Sequence, residues 1–167
     1  MEKQVAEYVA LIERFFDFLE HHPVSENTAG ELIILLMDLY ARCLELPNIQ
    51  DDVVQAGTGK EYKKPTIHVE CPDNFWLIFY PFDIDDDSAC AMISDNLKDI
   101  CVDLLDGLED YSQGRLSEAV LDWKCMMSHW GRHVVETLMA LHSLSWGEAR
   151  PEVIQKGHKW AHSNTII

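Results

Sequence analysis

LSEAVLDWKCMMSHWGRHVVETLMALHSLSW, residues 116–146, is the stretch from which the fold can be read. At about 100° of rotation per residue, Leu116, Val120, Trp123, Met127, Trp130, Val134, Thr137, Leu138 and Leu141 fall on one broad arc. An apolar arc of that width suits a central helix packed on more than one side, not a lone surface helix. Trp123 and Trp130 stand a heptad apart, and each ring can bury roughly 200 Å² or more. Gly131 follows directly. A glycine there costs about 1 kcal/mol of helix stability relative to alanine, so it reads as room for a close neighbour. One edge of the arc carries a polar stripe of Asp122, His129, His133 and Glu136, which lie within about 60° of one another. The stripe holds the only candidate chemistry in the chain.

The helices that such a centre needs lie on either side of it. Residues 3–22 repeat Val5, Tyr8, Val9, Ile12, Phe15, Phe16 and Leu19 at helical spacing, and Pro23 stops the run. His21 and His22 end that helix. Adjacent helix positions point about 100° apart, so they read as C-terminal cations facing the dipole, not as a metal pair. Thr28 and Glu31 have the spacing of a capping box and open a second helix over residues 29–46, ended by Pro47. A third helix starts near Ser88 or Ser94 and runs to Tyr111, with Gly114 as its terminator. Its core face carries Ile93, Leu97, Ile100, Leu104 and Leu108; a second face carries Asp95, Asp99, Asp103, Asp106 and Asp110. Asp106 and Asp110 sit at the unfavourable end of the helix dipole, which calls for a cation from a neighbouring helix. The short turn to residue 116 makes the third and fourth helices an antiparallel hairpin.

Between residues 47 and 87 the helical period is lost. Thr66–Cys71 alternates and Phe75–Tyr80 is strongly apolar, with Pro72-Asp73-Asn74 as a turn between them. The segment is either a small hairpin or an aromatic flap. Gly57-Thr-Gly59-Lys60 lacks the first glycine and the following Ser or Thr of a phosphate loop. Asp83–Asp87 lacks the spacing and glycine of a calcium loop. The expected fold is therefore all-α: one domain over 1–167, an antiparallel bundle of four main helices, a loop or flap at about 47–87, and a C-terminal extension at about 147–167.

Composition bounds the function. The formal net charge is −16, from 29 acidic against 13 basic residues. That argues against a nucleic-acid partner and against an anionic membrane surface, and it would attract a basic protein partner. Of the five cysteines, Cys43, Cys71, Cys90, Cys101 and Cys125, no two form a Cys-x-x-Cys pair. That pattern fits buried thiols in a reducing cytoplasm better than a disulfide framework. No apolar run approaches the roughly 20 residues that span a bilayer.

Asp95-Asn-Leu-Lys-Asp-Ile-Cys-Val-Asp103-Leu, the glycine before Leu108, Tyr111, Trp123, and Ser128-His-Trp-Gly-Arg-His133 leading to Ala140-Leu-His142 together resemble a bacterial family known only as a domain of unknown function. The similarity spans about residues 11–144. It implies an all-helical cytosolic protein of about this length, and no activity or site residues.

Two functional readings remain. The first is a non-enzymatic interaction or regulatory protein, inhibitor-like or adaptor-like, with the Asp–His stripe as an interhelical hydrogen-bond network and no cofactor. The second is a metal-dependent hydrolase in which His129, His133 and Glu136, with Asp99 and Asp103 from the third helix, hold a divalent metal. His at i and i+4 can chelate one ion, but Trp130 stands where a zincin has its glutamate. His133-x-x-Glu136 reverses the Glu-x-x-His order of two-metal bundles. The network reading is preferred.

Overall fold

The computed structural model describes residues 2–48, 56–78 and 88–146. They form a helical bundle with one small antiparallel strand pair. Helix α1 spans Glu2–His21 and α2 spans Ala29–Glu45; strands β1 (Asn74–Ile78) and β2 (Ser88–Met92) precede α3 (Ile93–Ser112). The long stretch over residues 116–146 forms two helices, α4 (Leu116–Cys125) and α5 (Met127–Trp146), broken at Met126. Four helices were expected and five are present among the described residues, because the break divides the fourth. At the break the Trp123 carbonyl accepts the Trp130 indole N–H at 2.9 Å and faces the Cys43 thiol at 3.6 Å. Two side chains thus cap the end of α4.

Helix α3 packs against both α4 and α5, α2 packs on α5, and α1 packs on α2. Trp123 and Trp130 are fully buried at the centre, edge-on to Tyr8 of α1 and Tyr40 of α2 respectively. The arc read from the sequence is the core face: all of it is buried except Met127 and Leu138, which are partly so. A Cβ on Gly131 would meet Tyr40 Cε2 at 3.2 Å, so Tyr40 is its close neighbour. The turn between α3 and α4 passes through Gly114 at φ +81°, a conformation that suits glycine. There Arg115 pairs with Asp110, supplying the expected cation from the turn itself.

Two local expectations fail, and a third is narrowed to one of its two alternatives. Thr28 forms no capping box: its hydroxyl accepts the Ser25 amide and donates to the Pro23 carbonyl. Residues 66–71 do not pair with β1. Val69 instead makes a parallel bridge to Val24, and β1 pairs with Ser88–Met92, Phe75 opposite Ala91 and Trp76 opposite Cys90. Ser88 therefore begins a strand, and α3 starts at Ile93. Its N-terminus is held by Asp73, whose carboxylate accepts the Ser94 amide and hydroxyl, both at 2.7 Å. The acidic turn at residues 83–87 and the C-terminal extension at about 147–167 lie outside the described residues.

Among the described residues no helix is long and apolar enough to cross a membrane. Cys43 and Cys101 are buried and Cys71 is partly so, whereas Cys90 and Cys125 are exposed. Burial pushes the Cys43 and Cys71 thiols up to about 11, which leaves them as unreactive small apolar groups.

Candidate functional site: a polar seam between α3 and α5

In an antiparallel hairpin the residues of one helix meet those of the other in reverse order. Glu136 lies near Asn96, His133 near Asn96 and Asp99, and His129 beside Asp103. The i, i+4 spacing of His129 and His133 stacks the two rings on one face, edge to face with centroids 4.8 Å apart. His129 Nδ1 donates to Asp103 Oδ2 at 2.7 Å. His133 Nδ1 lies 3.0 Å from Asn96 Oδ1 and 3.4 Å from Glu136 Oε2. The Asn96 amide N–H donates to Glu136 Oε2 at 3.2 Å, and Arg132 Nε pairs with Glu136 Oε1 at 2.9 Å. Asn96, Asp103 and His133 are buried.

These bonds fix the tautomers. Asp103 offers only acceptors, so His129 carries its proton on Nδ1. The bond from Asn96 to Glu136 turns the amide oxygen toward His133, so that ring also donates through Nδ1. Burial pushes the His133 imidazole below its ordinary range, against the opposite pull of Glu136 and Asp99. The two remaining nitrogens, His129 Nε2 and His133 Nε2, face each other at 3.4 Å. Asp99 Oδ2 lies 3.6 Å from His133 Nε2. Among the described residues no group of three or more His, Cys, Asp or Glu side chains is placed so that it could hold a metal ion.

The structure brings His129, His133, Glu136, Asp99 and Asp103 together, and adds Asn96 and Arg132. Asn96 was missed because an amide does not titrate. Its signal is position, three residues before Asp99 and seven before Asp103 on the same face. Asp122 does face α3, as its rotation implies, but it does so from α4, about two turns before His129 and across the break at Met126. It sits in a separate cluster with Asp106, Asp110 and Arg115.

Burial first, then the hydrogen bond and charge of Asp110, push the Asp122 carboxyl up to about 6 from 3.8. A raised carboxyl favours the folded state below 3.8, and that contribution is lost as pH rises through about 6. Asp122→Asn should therefore raise the melting temperature at about pH 8 and leave it nearly unchanged at about pH 4. Equal shifts at both pH values would mean that Asp122 does not carry the effect.

The Gly57–Lys60 segment is no phosphate loop. It crosses the C-terminal end of α3, where Gly59 N–H bonds to the Ser112 carbonyl, and Lys60 is paired with Glu13 at 2.7 Å. The groove there, about 530 Å³ and lined in part by Glu61 and Glu109, presents the negative end of a helix. His21 caps its own helix by bonding to the Asp17 carbonyl at 2.9 Å.

The fold and seam define a class: a mostly helical bundle whose central hairpin buries an Asp–His–Asn–Glu network. The chain belongs to the DUF5063 family, a domain of unknown function, which matches residues 1–146. No curated protein and no solved structure matches it significantly.

Proposed function

We propose that this is a non-enzymatic cytoplasmic interaction protein, an adaptor or inhibitor that seats a basic amphipathic helix of its partner along the α2/α5 seam. One observation carries the reading. Tyr40 of α2 meets Gly131 of α5. Met37 and Leu44, three and four residues either side of Tyr40, share its face, while Val135 and Met139 continue the face of Gly131. These four side chains are 56, 61, 55 and 47% exposed, so the seam is bordered on both sides by apolar groups left open to water. Large apolar groups gathered on one face mark interaction surfaces, where scattered ones do not. An amphipathic helix in an apolar groove is a recurrent recognition mode, and the net charge of −16 favours a basic one.

The test is capture from native cytosol by wild type and by Met37→Asp/Val135→Asp. Both positions are exposed, so the variant should fold. Wild type is expected to hold one basic protein that is released by added salt and is missing from the variant. Equal capture by both proteins, no capture, or self-association of the chain through this face would overturn the proposal.

A further inference from the structure

We infer that residues 151–162 of this chain lie back along the α2/α5 groove as a basic amphipathic helix, occupying in the free protein the place that a partner's helix takes. The inference rests on the α2/α5 face being the docking groove proposed above. The groove runs toward the point where the chain leaves α5. Tyr40 of α2 meets Gly131, and Lys124 Nζ donates to the Leu46 carbonyl at 2.9 Å. The C-terminal end of α2 therefore lies beside the start of α5, and the two helices are antiparallel. Val135, Met139 and Trp146 follow Gly131 on one face of α5, at helical spacing. Trp146, the last residue of α5, is 66% exposed, with its ring on His142 at 5.2 Å. On α2, exposed Ile34 lies one turn before Met37. The apolar floor thus reaches the residue from which the remaining chain departs.

The sequence beyond that point has the chemistry the groove asks for. Gly147 follows α5 directly and Pro151 comes soon after, the residue types that end one helix and open the next. At about 100° of rotation per residue, Val153, Ile154, Gly157, Trp160 and Ala161 fall within an arc of about 120°. Lys156, His158, Lys159 and His162 fall outside that arc. As a helix, Pro151 to His162 extends about 18 Å, against about 22 Å from Trp146 back to Gly131. Arg150, Lys156 and Lys159 against Glu148 and Glu152 make residues 147–167 a net cation in a chain of net charge −16. Opposite charge draws the segment to the acidic bundle. A tether of a few residues keeps it at an effective concentration of about millimolar. Burying the Trp160 ring, roughly 200 Å², against Met37, Val135 and Met139 takes from water the apolar groups that border the groove.

The experiment is amide hydrogen exchange, read by mass spectrometry on the full chain. It compares wild type with Ile154→Asp/Trp160→Asp and with Met37→Asp/Val135→Asp, and slow exchange in α3 shows that the bundle of each is intact. In wild type, residues 151–162 are expected to exchange about 10-fold or more slowly than a free chain. In both variants they should exchange at the free-chain rate. Free-chain exchange in wild type overturns the inference, as does slow exchange that survives Met37→Asp/Val135→Asp. Loss of protection on dilution would seat the segment in a second copy and overturns it too. None of these readings needs a partner, so they stand apart from the capture experiment. A basic protein captured beside an unprotected segment would leave the groove standing and strike only its occupant in cis. A captured protein should bind Ile154→Asp/Trp160→Asp about 10-fold more tightly than wild type, because the tethered competitor is gone. Unchanged affinity would overturn the competition.

Discussion

Gly107→Ala is expected to destabilise the protein by roughly 2–4 kcal/mol, although glycine-to-alanine inside a helix ordinarily gains about 1 kcal/mol. A Cβ built on Gly107 would stand 2.5 Å from Trp123 Cε2, 2.7 Å from Cδ1 and closer still to Nε1. The same indole donates to the Leu104 carbonyl at 3.0 Å, one turn back along α3. The missing side chain is what lets the ring reach that carbonyl. An added methyl must push a fully buried tryptophan out of its contacts with α1 and α3, and overpacking of this kind costs about 1–3 kcal/mol. Stranding the indole N–H adds about 1–3 kcal/mol. Clash and lost hydrogen bond together exceed the propensity gain. Gly30→Ala in α2 is the control, because no atom lies within 4 Å of its built Cβ; it should be neutral or slightly stabilising. Urea unfolding of the two variants checks the contrast. A Gly107→Ala protein more stable than wild type would show that the indole does not pack on Gly107.

Trp130→Ala should cost roughly 3–5 kcal/mol, from lost transfer energy and the cavity left behind. That is a large share of the roughly 5–15 kcal/mol that holds a domain together. Trp130 is fully buried, its ring meets Tyr40 edge-on, and its N–H caps the end of α4 through the Trp123 carbonyl. Trp130→Phe separates the two contributions. It retains most of the ring volume and loses the cap, so it should lie between wild type and alanine. A loss below about 1 kcal/mol for Trp130→Ala would contradict the central packing position of this ring.

The parts of this fold that follow from local periodicity were legible in the sequence. The 3.6-residue spacing from Leu116 to Leu141 identified the core face of the central helices. Pro23 and Pro47 bounded α1 and α2, and Gly114 closed α3. The same counting put His129, His133 and Glu136 on one edge and Asp99 and Asp103 on a face able to meet them. These predictions depend only on rotation per residue, which any regular helix obeys. Position along the axis is different. Counting rotation alone grouped Asp122 with His129, because an angle does not record the two turns between them.

What tertiary structure decided depends on groups far apart in the chain. The sequence around Met126 carries no helix breaker; the break is capped by Trp130 and Cys43, the latter 80 residues from Trp123. Both Thr66–Cys71 and Ser88–Met92 could extend beside Phe75, and backbone hydrogen bonding selected the second. Ser94 could have capped its own helix, but Asp73 from the preceding segment does so with a full charge. The tautomers of the histidine pair were equally invisible. They are set by Asn96 and Asp103 on the opposite helix, and a ring's proton goes where its partner can accept it.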